Sequence, residues 1–229
     1  MKKSGDDSFD SVSCSGPDAA FVVLDRAGSG HLHQSCVDVA GTEYDYYDSG
    51  DGGEGAICVG TKGADTAHAV NSAQKGDCLT DTNGSNVQKV DCNNSRAIDR
   101  VLDRRDTTSF MPDAACSSVA GTQSTYSYVL KAKKGIGAMG TGVVFCLIPK
   151  GSDATRTVDN AKVGDCLKKL SADDLEVTDC ASPDADYKIL NSLPDKSFCD
   201  RVSGTIATYS YQRPGTIALP AVLCLGAAR

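Results

Sequence analysis

Val163-Gly164-Asp165-Cys166-Leu167, followed by cysteines at 180, 199 and 224, sets a pattern that the rest of the chain repeats. Lys75-Gly76-Asp77-Cys78-Leu79 opens an earlier copy, which runs on through cysteines 92, 116 and 146. A third begins at Gly5-Asp6-Asp7, with Asp7 standing where the first cysteine is expected, and continues through cysteines 14, 36 and 58. Together these account for all 11 cysteines among the 229 residues. The repeat divides the chain into modules at 1–60, 75–148 and 162–229, with linkers at 61–74 and 149–161. Cys58 to Cys78 and Cys146 to Cys166 are equally separated, so the modules are expected to stack with a repeated geometry.

Modules of this size bury little apolar surface, and disulfides commonly supply what the core lacks. The chain has no Cys-x-x-Cys and only 3 histidines, which argues for disulfides in an oxidising compartment over zinc ligation. Export is implied, yet Met1-Lys2-Lys3 leads into polar residues with no apolar signal core; the chain reads as an ectodomain, with a membrane reached only through an anchor not present here. A formal net charge of −7 argues against a nucleic-acid partner. The charge is uneven, with 3 basic and 11 acidic residues over 1–60 against 10 and 8 over 61–149 and 10 and 11 over 150–229.

Within a copy, the segment after Gly-Asp-Cys reads as a hairpin, as in 163–167 and 175–180 around the turn Ser171-Ala172-Asp173-Asp174. A third strand follows at 20–24, 97–102 and 186–190, although Ile98 to Leu102 also fits a helical turn. Val39-Ala40-Gly41-Thr42, Val119-Ala120-Gly121-Thr122 and Val202-Ser203-Gly204-Thr205 each lie three residues beyond a cysteine. They read as a helical turn with a glycine stop, then a strand carrying Tyr46, Tyr126 or Tyr209. The apolar runs at 56–59, 143–147 and 222–225 read as buried central strands. The expected fold class is α+β: three disulfide-stapled modules, each a mostly antiparallel sheet with one short helix.

This order of Gly-Asp-Cys-Leu, a valine-led second cysteine, a Cys-x-x-Val turn with a nearby tyrosine, and a closing Leu-Cys-Leu resembles the LppU-type family of actinobacterial envelope proteins and the related septum-formation domain. Those proteins carry one such four-cysteine module outside the membrane, behind a lipoprotein signal or an anchor helix. The resemblance covers nearly all of 5–225 as three copies. Asp7 and the triplication depart from it, and it implies no reaction and no catalytic residues.

Sequence leaves the disulfide connectivity open. Longer closed loops constrain the unfolded chain more, which favours Cys92–Cys116, Cys180–Cys199, Cys78–Cys146, Cys166–Cys224 and Cys14–Cys36, with Cys58 as a free thiol. The alternative pairs Cys78 with Cys92 and Cys166 with Cys180 across each hairpin and leaves Cys14 as the orphan.

No motif supplies a catalytic centre: Gly-x-Ser-x-Gly is absent, and Gly135 to Gly140 lacks the lysine and hydroxyl of a phosphate loop. His31-Leu32-His33 with Cys36 falls short of a metal site, and the carboxylates from Asp45 to Glu54 lack calcium-loop spacing. The expectation is therefore no enzyme, no cofactor and no metal. Recognition falls instead on the tyrosine strands and the loops after them, whose chemistry differs from copy to copy. These give Tyr46, Asp48, Asp51 and Glu54 in the first, Tyr126, Lys131, Lys133 and Lys134 in the second, and Tyr209 and Arg213 in the third. The expected protein is secreted or held at the outer face of the cell membrane, binding another protein or a cell-wall component. A secreted inhibitor presenting Arg213-Pro214 to an enzyme is the alternative.

Overall fold

The computed structural model describes residues 1–5, 8–27, 33–48, 55–84, 86–107, 112–132, 142–171, 174–212 and 220–229. In these the chain is mostly antiparallel sheet, and its helical content is confined to short 3-10 turns. A hairpin of β1 (Lys2–Gly5) and β2 (Ser8–Asp10) leads into β3 (Phe21–Ala27), β4 (Tyr44–Asp48) and β5 (Gly55–Thr61). Next come β6 (Cys78–Leu79), β7 (Lys89–Val90), β8 (Asp99–Thr107), β9 (Ser124–Val129), β10 (Lys131–Ala132) and β11 (Gly142–Pro149). The last group is β12 (Cys166–Lys169), β13 (Leu175–Thr178), β14 (Tyr187–Leu193), β15 (Ala207–Tyr211) and β16 (Ala221–Ala227).

Three larger sheets share one plan. Their strand orders are β10-β4-β5-β3, β7-β6-β8-β11-β9 and β13-β12-β14-β16-β15. The apolar runs occupy β5, β11 and β16, whose consecutive residues are buried on both faces of the sheet, which is why alternation is lost there. In β11, Val143 through Ile148 have no measurable exposure. The Val, Phe, Leu and Ile side chains among them each contribute on the order of 1.5–3 kcal/mol by leaving water. The pairing of the third strand with the last carries the same bulge in every sheet, skipping Leu24, Leu102 and Leu190. Such a bulge strengthens local twist.

Local chemistry explains the two motifs. In Gly-Asp-Cys, Gly76 and Gly164 have φ of +97° and +99°, a conformation that glycine enters without steric cost. Asp77 closes that turn, its N–H reaching the Gln74 carbonyl at 3.0 Å while its carboxylate accepts from the Gln74 N–H at 2.9 Å. Asp165 does the same with Lys162. The glycine stop follows the 3-10 turns His33–Asp38, Pro112–Cys116 and Lys196–Arg201, with φ between +81° and +87° at Gly41, Gly121 and Gly204. These turns stand where an α+β fold would have its helix.

The disulfides correct the preferred connectivity. The bonds are Cys36–Cys58, Cys78–Cys92, Cys116–Cys146, Cys166–Cys180 and Cys199–Cys224, and Cys14 is the exposed free thiol in place of Cys58. Distance decides, because a bridge needs Cα atoms roughly 4.4–6.8 Å apart. The hairpin brings Cys78 and Cys92 to 5.1 Å, and the 3-10 turn lays Cys116 over β11 at 5.4 Å from Cys146. The entropic advantage of a longer loop grows only logarithmically and cannot override that placement.

The first sheet also departs from the expected alignment. Met1 and Phe21 exchange backbone hydrogen bonds, and Lys2 faces Asp10, which puts Met1 opposite Ser11. Ser11 stands three residues before Cys14, as Lys89 and Val177 stand three before Cys92 and Cys180. Met1 is thus the counterpart of Leu79 and Leu167, which face Lys89 and Val177. Asp7 itself lies outside the described residues. An aromatic cluster holds this hairpin, with Phe9, Phe21 and Tyr44 packed edge to face at 5.3–5.5 Å.

Cleavage without reduction followed by mass mapping is expected to recover Cys78 linked to Cys92 and Cys166 to Cys180, with Cys14 alone alkylated in the folded protein. A Cys78–Cys146 peptide would overturn the register described here.

Candidate functional site

The segments 61–74 and 149–161 are built structure, and they make the junctions between sheets. Offset by 88 residues, they match position for position: Asp65 with Asp153, Thr66 with Ala154, Val70 with Val158, and Asn71 with Asp159. Each aspartate caps a 3-10 turn, Asp65 accepting from Ala67 N–H at 3.1 Å and Asp153 from Thr155 N–H at 2.9 Å. Both carboxyls are held below their ordinary range, Asp65 chiefly by its hydrogen bond with His68 and Asp153 chiefly by the Thr155 hydroxyl. Val70 and Val158 sink into the cores of the second and third sheets.

The next residue reaches back to the preceding sheet. Asn71 Oδ1 accepts from Gly41 N–H at 3.0 Å, and its Nδ2 donates to the carbonyls of Val37 at 2.9 Å and Val39 at 2.8 Å. Asp159 Oδ2 accepts from Gly121 N–H at 2.9 Å in the same way. Glycine is required at these corners because the following segment lies against them. A Cβ on Gly41 would come within 2.9 Å of Thr66, and one on Gly121 within 2.7 Å of Ala154.

At the first junction the tyrosine strand adds a second tie. Tyr128 Oη donates to the Thr42 carbonyl at 2.7 Å. Lys131 N–H donates to Glu43 O at 2.9 Å, and β10 continues in parallel along β4. The Lys131 ammonium lies 3.5 Å from the Glu43 carboxylate and 4.9 Å from the Tyr44 ring centre. Arg104 reaches Asp38 at 2.5 Å across the same boundary. Cys36, Val37 and Cys58 accordingly share one core cluster with Val101, Phe145 and Leu147. Burial, with Glu43 and Tyr126 nearby, pushes the Tyr128 phenol up to about 12.

Beside each latch a cleft opens, formed from equivalent positions. The first, about 410 Å³, is lined by Glu43, Asp65, His68, Asn86, Gln88, Tyr126, Tyr128 and Lys131. The second, about 240 Å³, is lined by Gln123, Asp159, Asp174, Leu175, Tyr209 and Tyr211. One tyrosine strand walls each, and a 3-10 segment floors it. The linings differ in charge, since the first mixes Glu43 and Asp65 with Lys131 whereas the second carries Asp159 and Asp174 without a lysine or arginine.

Of the residues predicted from sequence, Tyr126 and Tyr209 meet the clefts at matching positions, facing Phe145 and Leu223 across the sheet. Tyr46 holds the same place on β4, opposite Ile57. Lys131 is engaged in the junction and is not a free loop cation. Asp48 ends β4, and nothing is described of its side chain; Asp51, Glu54, Lys133, Lys134 and Arg213 lie outside the described residues. His31 does too, and Cys36 is committed to Cys58. Among the described residues no three His, Cys, Asp or Glu side chains converge on a metal position, and no helix is long and apolar enough to cross a membrane. Sequence reading missed Tyr128, Tyr211, Asn71 and Asp159; aligning backwards from Gly-Asp-Cys would have exposed the last two.

No known protein family matches the chain, and neither does any curated protein or solved structure.

A tyrosine whose folded pKa is raised supports the fold below the ordinary phenol range near pH 10 and loses that support as pH climbs through about 12. Tyr128→Phe is expected to cost about 1 kcal/mol at pH 7, through the lost bond to Thr42. It is also expected to flatten the alkaline fall in stability between pH 10 and 12. Urea unfolding at pH 7 and pH 11 measures both, and an unchanged alkaline slope would count against the burial of this phenol.

Proposed function

We propose that the chain is a non-enzymatic, exported or envelope-attached binding protein made of three disulfide-stapled modules, each a β-sheet closed by a 3-10 turn. It recognises a protein or a cell-wall component in the two clefts where modules meet. Five disulfides are typical of proteins from oxidising, extracellular settings. The likeness of the cysteine pattern to the LppU-type envelope family supports the same location.

The observation that carries the reading is the duplication of one cleft with altered lining. Tyrosine walls recur, while Glu43 gives way to Gln123, Asn86 to Asp174 and Val129 to Gln212. A rigid frame holding equivalent recesses of different chemistry suits recognition, and tyrosine provides large contact area at low entropic cost. The loop tips proposed from sequence remain candidates for the rim, but the tyrosines themselves point to the clefts.

Asn86 and Gln123 are exposed at the mouths, so tryptophan at either fills its cleft without touching the core. Immobilised protein is incubated with detergent-solubilised cell envelope under non-reducing conditions, and retained material is compared with that held by the Asn86→Trp, Gln123→Trp double variant. The wild type is expected to hold a component that the folded double variant loses at least tenfold. Equal retention by both would remove the clefts from the proposal.

A further inference from the structure

The second cleft carries the more pointed chemistry of the two. Tyr209 and Tyr211 stand two residues apart on one face of β15, their rings nearly parallel at 24° with centres 6.5 Å apart. They make a continuous aromatic wall. Tyr128, the counterpart of Tyr211, is tied through its hydroxyl to the Thr42 carbonyl, whereas among the described residues Tyr211 makes no such tie to Thr122. Asp174 and Leu175 enter the cleft from the start of β13, and Asp159 from the turn Val158–Asn160. The Asp159 oxygens are engaged by the Gly121 N–H and the Thr157 hydroxyl, so this residue adds its charge from the floor. Asp174 is exposed, and no described residue bonds its carboxylate. Arg156, on the preceding turn, is drawn to Glu176 at 3.4 Å and to the Val177 carbonyl at 3.0 Å. The described lining therefore offers carboxylates and tyrosine faces with no lysine or arginine to balance them.

We infer that this cleft receives an arginine or lysine side chain from an extended segment of another polypeptide, its cationic head held by the tyrosine rings and Asp174 and its aliphatic stem by Leu175. The inference rests on the cleft reading above and names the chemistry of the occupant. The molecule carries its own precedent for the pairing. At the first junction the Lys131 ammonium sits 4.9 Å from the Tyr44 ring centre and 3.5 Å from the Glu43 carboxylate. A cation over a tyrosine face is attracted by the ring quadrupole, and a carboxylate beside it adds a charge-assisted hydrogen bond. There the chain supplies the cation. In the second cleft Gln123 replaces Glu43 and Asp174 replaces Asn86, so the balancing charge falls to the ligand. The volume of about 240 Å³ lies below the roughly 300–1,000 Å³ of sites that enclose a drug-sized molecule, which suits a single long side chain. Gln123, exposed at the mouth, has a carboxamide that both donates and accepts, as the peptide groups flanking such a side chain require. A guanidinium is planar, weakly hydrated and able to grip a carboxylate with two N–H groups, which makes arginine the stronger occupant.

The test uses the whole chain, labelled with nitrogen-15, and end-blocked peptides Gly-Ser-X-Ser-Gly with arginine, lysine or citrulline at X, citrulline being the neutral isostere of arginine. The arginine peptide is expected to shift the amides of Asp174, Leu175, Tyr209 and Tyr211 saturably and to bind at least tenfold more tightly than the citrulline peptide, with lysine between them. Asp174→Asn, a change at an exposed position, is expected to weaken arginine binding at least fivefold, and Tyr211→Leu to do the same. Equal affinity for arginine and citrulline overturns the inference. So does the absence of saturable shifts up to about 10 mM peptide, tenfold beyond a millimolar site. Methylguanidinium binding as tightly as the arginine peptide assigns the cleft to a small cation and overturns the polypeptide. Binding that appears only in Arg213→Gln assigns the cleft to the chain's own arginine, with the same result. Retention of envelope material separates this inference from the cleft reading: a component lost by Gln123→Trp but fully kept by Asp174→Asn leaves the cleft standing and removes the cation.

Discussion

A side-chain oxygen taking a backbone N–H that its own turn leaves exposed is the contact on which the arrangement of this molecule depends. After each short 3-10 turn the chain reverses at a glycine in the left-handed region, and at Gly41 and Gly121 the N–H of that glycine takes its acceptor from the next segment. Asn71 and Asp159 meet it from the next segment, 30 and 38 residues later. A buried donor left without an acceptor costs about 1–3 kcal/mol. The following segment is thereby held against the corner, and its valine is positioned to enter the next core. Everything at the junction follows: the small residue over the glycine, the tyrosine reaching Thr42, and the cleft left between tyrosine strand and turn.

The two latches differ in strength. Asn71 is an amide and can both accept from Gly41 and donate to Val37 and Val39, so three backbone groups close on one side chain that is 1% exposed. Asp159 as a carboxylate can only accept, and its other oxygen is taken by the Thr157 hydroxyl. The first junction is further reinforced by Lys131, Glu43 and Arg104, and its two sheets share a core cluster. The third sheet keeps a core of its own. The junctions thus repeat in geometry and differ in how much apolar surface they join.

Much of the sheet was readable from residues alone, because the apolar runs, the glycine stops and the Gly-Asp turn are each set by local chemistry. Cys58, Cys146 and Cys224 sit in central strands for the reason their neighbours predicted. The connectivity was not readable: loop entropy favours distant pairs, whereas actual pairing depends on which Cα atoms the turns bring together. In the first module the pairing of Lys2 with Asp10 and of Met1 with Phe21 aligns Met1 with Leu79 and Leu167, a register that the Gly5-Asp6-Asp7 stretch does not announce. The candidate site was half legible. Tyr126 and Tyr209 were marked by their spacing from cysteine, but Asn71 and Asp159 sat in stretches rich in Gly, Ser, Asp and Thr, which look like flexible linkers. Their role emerges only when the corner they cap is seen from the preceding sheet.

The direct measurement is nitrogen-15 relaxation of the intact chain, comparing rotational correlation times for amides in β5, β11 and β16. Latched junctions predict one common correlation time for all three strands in the wild type, with Asn71→Ala releasing the first sheet to tumble faster than the others. Three separate, shorter correlation times in the wild type would contradict the account, because the sheets would then be independent bodies and the clefts between them would have no fixed geometry.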